Sequence, residues 1–132
     1  MPTLEQRRAS DALIKIGQVA EGQHTEYSTL ARGLPAMLQA NGLAQTLAFL
    51  MAKAENNSPN RSVHARLLSH LTDWLDRNVR VQIQPNPSTI LPSRELFRWV
   101  VNAETGIYRR TFVEAMAYAT WLRRFAEAKA WT

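Results

Sequence analysis

The segment from Leu43 to Glu55, LAQTLAFLMAKAE, is apolar on almost every side when it is drawn as a helix. Its large apolar side chains are Leu43, Leu47, Phe49, Leu50 and Met51. A helix that is hydrophobic all round belongs in the middle of a bundle, since each of its sides needs an apolar neighbour. The segment therefore predicts an all-helical protein with this element at its centre.

The residues before this segment also carry a helical pattern. Apolar residues recur at helical spacing from Thr3, which suits an N-cap, to Glu21, and Gly22 indicates the end of that helix. The following residues predict two short helices that meet near Gly33, because Pro35 fits the first turn of a new helix. Residues 41–42, Asn-Gly, indicate a C-terminal stop.

The residues after the central segment predict a loop, a helix, a linker and two more helices. The loop is Asn56–Asn60, and the next helix runs from Ser62 to about Asn78 with Val63, Leu67, Leu71, Trp74 and Leu75 facing inward. Residues 79–84 alternate like a strand but have no partner strand, so they are interpreted as the start of an extended, Pro-containing crossover linker over residues 79–92. Ser93 is predicted to cap a short helix that ends at Val101, and the longest helix spans Glu104–Lys129. The whole pattern predicts one all-α domain over residues 1–132, a bundle of about six helices without a sheet.

Composition narrows the class of function. The chain has 132 residues, with 16 basic and 11 acidic side chains, a net charge of +5 and no cysteine. A basic surface favours polyanions, and arginine, which forms bidentate contacts with phosphate, supplies most of the positive charge. The sequence shows neither a signal peptide nor an apolar run of ~20 residues, so we expect a soluble, cytoplasmic protein that does not enter the membrane.

The sequence contains no recognisable catalytic motif. His64 and His70 have the wrong spacing for a metalloprotease helix, and they are interpreted, with His24, as surface or boundary histidines. Asp73 and Asp76 each precede an arginine by four residues, which indicates ion pairs on the helix surface. The sequence therefore predicts no catalytic residue, no metal site and no cofactor.

Two arginine pairs mark the last helix as a candidate nucleic-acid contact. Arg109-Arg110 and Arg123-Arg124 are 14 residues apart, so they lie on nearly the same side and about 21 Å apart along the axis. Arg8 and Lys15, seven residues apart on the first helix, are further candidates. A competing interpretation makes the arginines partners of local carboxylates, with Arg110 pairing to Glu114 and Arg123 to Glu127 at i,i+4 spacing.

The tryptophans favour packing over base stacking. Trp74, Trp99 and Trp121 stand at helical spacing among apolar residues, which is typical of a core. Trp131 at the end of the chain is predicted to be either disordered or docked on a partner.

Two blocks of the sequence resemble one known family, the small all-helical subunit of the type III-B CRISPR effector, the Cmr complex. The first block lies within residues 30–53, and its distinctive parts are Leu34-Pro35, Asn41-Gly42-Leu43, Gln45-Thr46-Leu47-Ala48-Phe49-Leu50 and Lys53. The second block is similar to the family's final helix through Tyr108-Arg109-Arg110, Glu114-Ala115, Ala117-Tyr118 and Trp121-Leu122-Arg123-Arg124-Phe125. Together the blocks cover about a third of the chain.

The resemblance implies a non-catalytic subunit that stacks along the backbone of an RNA-guided complex and lines the groove where target RNA pairs with the guide. Its partners would be the other subunits of the effector, guide RNA and target RNA, with self-association along the complex. The matched RNA-contacting candidates are Lys53 and the arginines at 109, 110, 123 and 124. Lys53 also has a structural explanation, since a lysine suits the C-terminus of a helix.

Two other functions stay open at this point. The first is a purely structural adaptor, in which the arginines serve only protein–protein contacts. The second is a helical DNA-binding protein that uses the predicted helix pair around Gly33, although the helix after Gly42 offers few polar side chains to read a groove.

Overall fold

A computed structural model describes residues 1–56, 61–84 and 89–131. These residues form five helices and contain no strand, which confirms the all-α prediction. The helices are α1 (Leu4–Gly17), α2 (His24–Glu55), α3 (Arg61–Leu75), α4 (Ser93–Val101) and α5 (Thr105–Glu127). In the same part of the chain, no helix is both long enough and apolar enough to cross a membrane.

Helix α1 begins where it was predicted to begin but ends earlier than predicted. The Thr3 hydroxyl accepts a hydrogen bond from the backbone N–H of Gln6, whose side chain accepts one from the backbone N–H of Thr3, so the two residues form a capping box. The predicted end at Gly22 is wrong, because the helix stops at Gly17 and Gly22 lies in a short 3₁₀ turn, Glu21–Gln23.

The predicted junction near Gly33 is also wrong. Helix α2 runs through Gly33 and keeps Pro35 in its interior. Proline inside a helix removes one backbone hydrogen bond and is normally unfavourable. Here the same stretch buries Ala31, Leu34 and Leu38 completely, and this burial outweighs the local cost of the proline.

The predicted stop at residues 41–42 is confirmed. Gly42 has a positive φ of 83° and ψ of 175°, a backbone conformation that is essentially restricted to glycine, and it kinks α2 into two halves. Just beyond the break, the backbone N–H of Ala44 donates to the Tyr108 hydroxyl of α5 at 2.9 Å. The Thr46 hydroxyl donates to the carbonyl of Gly42 at 2.7 Å. Both bonds satisfy polar groups at the break.

Residues 79–83 are helical, so the predicted extended start of the linker is wrong. Helix α3 continues through a π-helical turn, Asp76–Arg80, and a last helical turn, Val81–Ile83. The wider turn holds one more residue than an α-helical turn. It buries Val79 and Arg80 together, which the alternating sequence pattern could not reveal.

The ion pair of Asp76 and Arg80 is present, but it is buried rather than on the surface as expected. Arg80 Nη2 donates to the carbonyl of Thr89 at 2.7 Å, and the backbone N–H of Leu91 donates to Asp76 Oδ2 at 3.1 Å. The pair therefore fixes residues 89–91 of the crossover against α3. The predicted Pro85–Pro87 part of the linker lies outside the described residues, and so do residues 57–60 of the predicted loop Asn56–Asn60.

The last two helices match the prediction closely. Helix α4 ends at Val101, and Glu95 and Arg98 are exposed as expected. Pro92 rather than Ser93 occupies the N-cap position of α4, and the Ser93 hydroxyl shares a hydrogen bond of 2.7 Å with Thr72 of α3.

Helix α2 lies at the centre of the bundle and packs against both α3 and α5. Its second half buries Leu43, Leu47 and Leu50 completely, which confirms the central position predicted for this segment. Phe49 on the same half is an exception, with 38% of its surface exposed. This arrangement leaves the outer side of α5 open to solvent.

Candidate nucleic-acid interface

Helix α5 separates a buried side from a charged side. Its inner side buries Thr111, Glu114, Ala115, Tyr118, Ala119, Leu122 and Ala126. The opposite side presents four exposed arginines, Arg109, Arg110, Arg123 and Arg124, which we call the arginine face. The helical period predicted this grouping, and the structure confirms that these four side chains share the exposed side of one helix.

The arginines differ in their carboxylate partners. Within the described part of the chain, no carboxylate lies within 4.0 Å of Arg109 or Arg110. Arg123 Nε lies 3.4 Å from Glu127 Oε2, as expected, and Arg124 Nη1 lies 3.9 Å from Glu127 Oε1. The side chains of Arg123 and Arg124 remain 46% and 67% exposed. Such surface pairs are weak, so the face keeps its positive character.

The predicted ion pair between Arg110 and Glu114 does not form. Glu114 lies on the inner side of α5, where Arg8 Nε and Nη2 donate to its two oxygens at 2.6 and 2.7 Å. Trp74 Nε1 donates to the same carboxylate at 2.9 Å. Burial alone would raise the pKa of Glu114, but the hydrogen bonds from Arg8 and Trp74 hold this pKa below its usual value.

A shallow groove borders the arginine face. It lies between α1 and α5, and its lining residues are Glu5, Arg8, Ala117, Thr120, Trp121 and Arg124. On the arginine face itself, Val113 is 59% exposed between the two arginine pairs. The face is therefore basic at both ends and contains an apolar side chain between them.

The two candidates on α1 have protein partners. Arg8 is held by Glu114, and hydrogen bonding to this carboxylate raises the pKa of Arg8 above its ordinary value. Lys15 Nζ lies 2.6 Å from Asp11 Oδ2 and 2.9 Å from Asp73 Oδ2. We call these five residues, which join α1, α3 and α5, the polar seam.

The polar seam extends into the core through aromatic residues. The Tyr118 hydroxyl donates to Asp11 Oδ2 at 2.5 Å, and the Tyr118 ring stacks on Trp74 with centroids 4.8 Å apart. Lys15 lies 5.2 Å from the centroid of the same tyrosine ring. Burial raises the pKa of the Tyr118 hydroxyl, so it stays protonated and acts as a donor. The seam therefore connects three helices through short polar contacts.

Only the local part of the polar seam can be predicted from the sequence. Asp11 and Lys15 are four residues apart, which indicates a helix pair. Arg8 and Glu114 are separated by 106 residues, and no sequence signal joins them. Trp74, which the sequence placed in the core, is indeed buried.

The prediction that His70 is a surface or boundary residue is wrong. His70 is buried, and its Nδ1 shares a hydrogen bond of 2.7 Å with the Tyr27 hydroxyl. Burial lowers the pKa of His70 to about 4. The imidazole is therefore neutral at physiological pH and is part of the buried core.

Trp131 packs on its own chain, so the prediction of a disordered residue is wrong. Its ring stacks on the His24 ring with centroids 4.2 Å apart. The Trp131 and Tyr27 rings are arranged edge to face, with centroids 6.3 Å apart. Trp99 and Trp121 are partly buried and pack against the core, as predicted.

Lys53 belongs to a different element from the arginine face. It lies in the last turn of α2, and its Nζ is 5.8 Å from the centroid of the Phe49 ring. The structure therefore brings together Arg109, Arg110, Arg123 and Arg124 but places Lys53 on another helix. Within residues 1–56, 61–84 and 89–131, no group of three or more His, Cys, Asp or Glu side chains could hold a metal ion.

Comparison with known proteins identifies the family. Residues 4–129 match the family model described as CRISPR-associated protein (Cas_Cmr5). The CRISPR system Cmr subunit Cmr5 of Thermus thermophilus is 30% identical over 129 residues, which cover 97% of this chain and 96% of that protein.

A solved structure supports the same relationship. The crystal structure of a CRISPR-associated Cmr5 family protein from Thermus thermophilus matches with a TM-score of 0.71 and 29% identity, over 97% of each chain. The resemblance seen in residues 30–53 and 108–125 thus extends over nearly the whole sequence. This protein belongs to the CRISPR-associated Cmr5 family.

Proposed function

We propose that this protein is a non-catalytic subunit of a type III-B CRISPR (Cmr) ribonucleoprotein and that its arginine face contacts the phosphate backbone of bound RNA. The observation that carries the proposal is the exposure of four arginines on one side of α5, two of them without a carboxylate within 4.0 Å in the described residues. The relative from Thermus thermophilus is itself named as a subunit of the Cmr system. Cleavage of the RNA would belong to neighbouring subunits.

The chemistry of the face suits a backbone contact. Arg109-Arg110 and Arg123-Arg124 are spaced about 21 Å apart along the axis, far enough to reach separate phosphates. Base pairing between guide and target would read the sequence, while this subunit would recognise charge and helical shape. The contact would therefore supply salt-dependent affinity that is independent of sequence.

The other residues predicted to contact RNA, Lys53, Arg8 and Lys15, have different roles in this proposal. Lys53 lies in the last turn of α2 and remains a candidate for a second RNA contact outside the arginine face. Arg8 and Lys15 could reach RNA only by leaving Glu114, Asp11 and Asp73. Their role in the proposal is to hold α1 against α3 and α5, which fixes the position of the arginine face.

The test uses the assembled complex with two matched variants. Arg109→Gln/Arg124→Gln removes two charges from the arginine face, and Arg32→Gln/Arg98→Gln removes two exposed charges from α2 and α4. RNA affinity is measured over a series of salt concentrations. We expect the first variant to flatten the slope of log K against log[salt] by about 0.7 to 0.9 per lost contact, and the control to keep the wild-type slope.

A purely structural adaptor is the second candidate, and the exposed Val113 favours it. An apolar side chain at the middle of the face is suited to protein contact. If the adaptor is correct, Val113→Ser weakens assembly and Arg109→Gln/Arg124→Gln leaves the RNA salt slope unchanged. The DNA-binding alternative loses its structural basis, because α2 is continuous through Gly33 and no helix pair forms there.

A further inference from the structure

The groove beside the arginine face lies between the first half of α1 and the second half of α5. Its lining residues are Glu5, Arg8, Ala117, Thr120, Trp121 and Arg124. Its volume is about 570 Å³, within the range of ~300–1,000 Å³ that is typical of clefts for small organic groups. Arg124 belongs both to this groove and to the arginine face, so the groove opens directly beside one of the exposed arginines.

Trp121 is the aromatic side chain of this groove. Its ring is partly buried and stacks on the Phe125 ring of the same helix, with centroids 5.5 Å apart and planes 30° apart. The contact with Phe125 orients the indole, while Trp121 still lines the groove. An oriented aromatic ring on an open, shallow surface suits the stacking of a nucleic-acid base, because a base needs a flat platform rather than an enclosed cavity.

The two sides of the groove differ in charge. On the α5 side, the Arg124 side chain is 67% exposed. On the α1 side, Arg8 is paired with Glu114, and Glu5 is exposed. A phosphate suits the Arg124 side but is repelled by Glu5, whereas a carboxylate can accept a hydrogen bond from the amino group of a base. The charge pattern therefore matches a nucleotide with its phosphate at Arg124 and its base towards Glu5.

Thr120 adds a second acceptor to the groove. Its hydroxyl donates to the carbonyl of Met116 at 2.8 Å, which leaves the hydroxyl oxygen available to accept. The Thr120 side chain is exposed. An aliphatic side chain from a neighbouring protein would use only the indole and would cover both acceptors with apolar atoms. A base with an amino group can use the indole and the acceptors together, so the lining favours a base.

We infer that the groove binds an unpaired base of the RNA that is held on the arginine face. The base would stack on Trp121 and donate from its amino group to Glu5 or Thr120. The phosphate of the same nucleotide would bind Arg124. The base must be unpaired, because pairing and stacking within a duplex would occupy its edge and both its faces. This inference rests on the proposed function, since it names what the same surface recognises besides phosphate.

The first test is photo-cross-linking in the assembled complex, with guide or target RNA that carries 6-thioguanosine at each position in turn. This analogue keeps the amino group of guanine and is activated by near-ultraviolet light. We expect cross-links from a few positions of the RNA to the tryptic peptide over residues 111–123, which contains Trp121. Absence of cross-links to this peptide would overturn the inference, as would equal cross-linking from all positions.

The second test measures RNA affinity with normal RNA and with RNA that lacks the base at the cross-linked position. The wild-type complex should bind the abasic RNA about tenfold more weakly, a comparison that does not depend on how a variant folds. Trp121→Leu should weaken binding of normal RNA by a similar factor and leave binding of abasic RNA unchanged. The matched control is Trp99→Leu, because Trp99 is also partly buried but lies on α4, outside the groove. It should bind both RNAs as the wild type does.

Two results of this comparison would overturn the base site. Equal losses of affinity for normal and abasic RNA in Trp121→Leu would show that the tryptophan contacts no base. Faster dissociation of the subunit with unchanged RNA affinity would indicate a protein contact at Trp121. The salt slope separates this inference from the proposed function, because Trp121→Leu removes no charge and should keep the wild-type slope. If Arg109→Gln/Arg124→Gln flattens the slope while Trp121→Leu changes no RNA affinity, the phosphate contact stands and the base site fails.

Discussion

The polar seam and the arginine face contain the same kinds of charged residue in opposite surroundings. In the seam, Arg8 is held by both oxygens of Glu114, and Lys15 is shared between two aspartates. On the face, the arginines point to solvent, and Glu127 is the one carboxylate within 4.0 Å of them in the described residues. Burial and the number of partners, rather than residue type, distinguish a side chain that joins helices from one that can meet a ligand.

This difference determines what a charge contributes. Removing one member of a buried, hydrogen-bonded pair leaves the other member desolvated and uncompensated, which is costly. Removing an exposed charge costs little folding energy, because water already solvates it. Substitutions in the seam should therefore change the free energy of unfolding, and substitutions on the face should change binding.

The largest effect is expected for Glu114→Gln. This substitution removes the charge that holds Arg8 and weakens the acceptor of Trp74, so we expect a loss of about 3 kcal/mol in the free energy of unfolding, measured by urea denaturation. The matched control is Glu127→Gln, which removes the same charge from the exposed end of α5 and should cost less than about 0.5 kcal/mol. Equal losses in the two variants would show that the seam stabilises the fold no more than a surface pair does.

An intermediate effect is expected from pH, through His70 beside the seam. The unfolded chain binds a proton at His70 near pH 6.5, whereas burial lowers the folded pKa to about 4, so the unfolded state binds more protons between these values. Stability should therefore fall as the pH decreases, by about 1.6 kcal/mol between pH 6.5 and pH 5. Urea denaturation of the wild type and of His70→Gln at both pH values checks this, and the dependence should be much weaker in the variant.

The seam carboxylates act in a different pH window. Burial alone would raise the pKa values of Asp73 and Glu114, but their hydrogen bonds to Lys15 and Arg8 hold both pKa values below the usual range. The stability that they contribute is present above the unfolded pKa near 4 and is lost only as the pH falls through their lower folded values. If His70→Gln kept the full wild-type loss between pH 6.5 and pH 5, this assignment of windows would be wrong.

The smallest effect on stability is expected on the arginine face. Arg109→Gln/Arg124→Gln should change the free energy of unfolding by no more than about 0.5 kcal/mol, because both side chains are exposed. Arg8→Gln should show the opposite behaviour to the face variant. It should destabilise the fold clearly, because it leaves Glu114 buried and unpaired. The RNA salt slope of the correctly folded complex should stay as in the wild type. A strongly destabilised face variant would remove the distinction between the two regions.

The sequence predicted those features that depend on local periodicity. The Thr3 cap, the inward residues of α3, the end of α4 and the exposed side of α5 all follow from capping chemistry and the helical repeat. In each case, neighbouring residues along the chain determine the outcome. The positions of the four arginines on α5 could be predicted for the same reason.

The errors arose where distant packing overrides a local signal. Gly33 and Gly42 look alike in the sequence, yet only Gly42 adopts a positive φ, and burial of Leu34 and Leu38 carries the helix through Gly33 and Pro35. Residues 79–83 alternate like a strand but are helical, since a π-helical turn brings Val79 and Arg80 inside together. The pair of Arg8 and Glu114 depends on how α1 docks on α5, which a one-dimensional pattern does not contain.

The break at Gly42 has a mechanical consequence. The hydroxyl of Tyr108 holds the backbone N–H of Ala44 immediately after the break, and Tyr108 directly precedes Arg109 and Arg110. A load applied to that end of α5 is therefore passed to the joint between the two halves of α2, the longest helix of the bundle. We therefore expect α2 and α5 to move as one rigid body. The molecule should then act as a rigid spacer and not as a hinge.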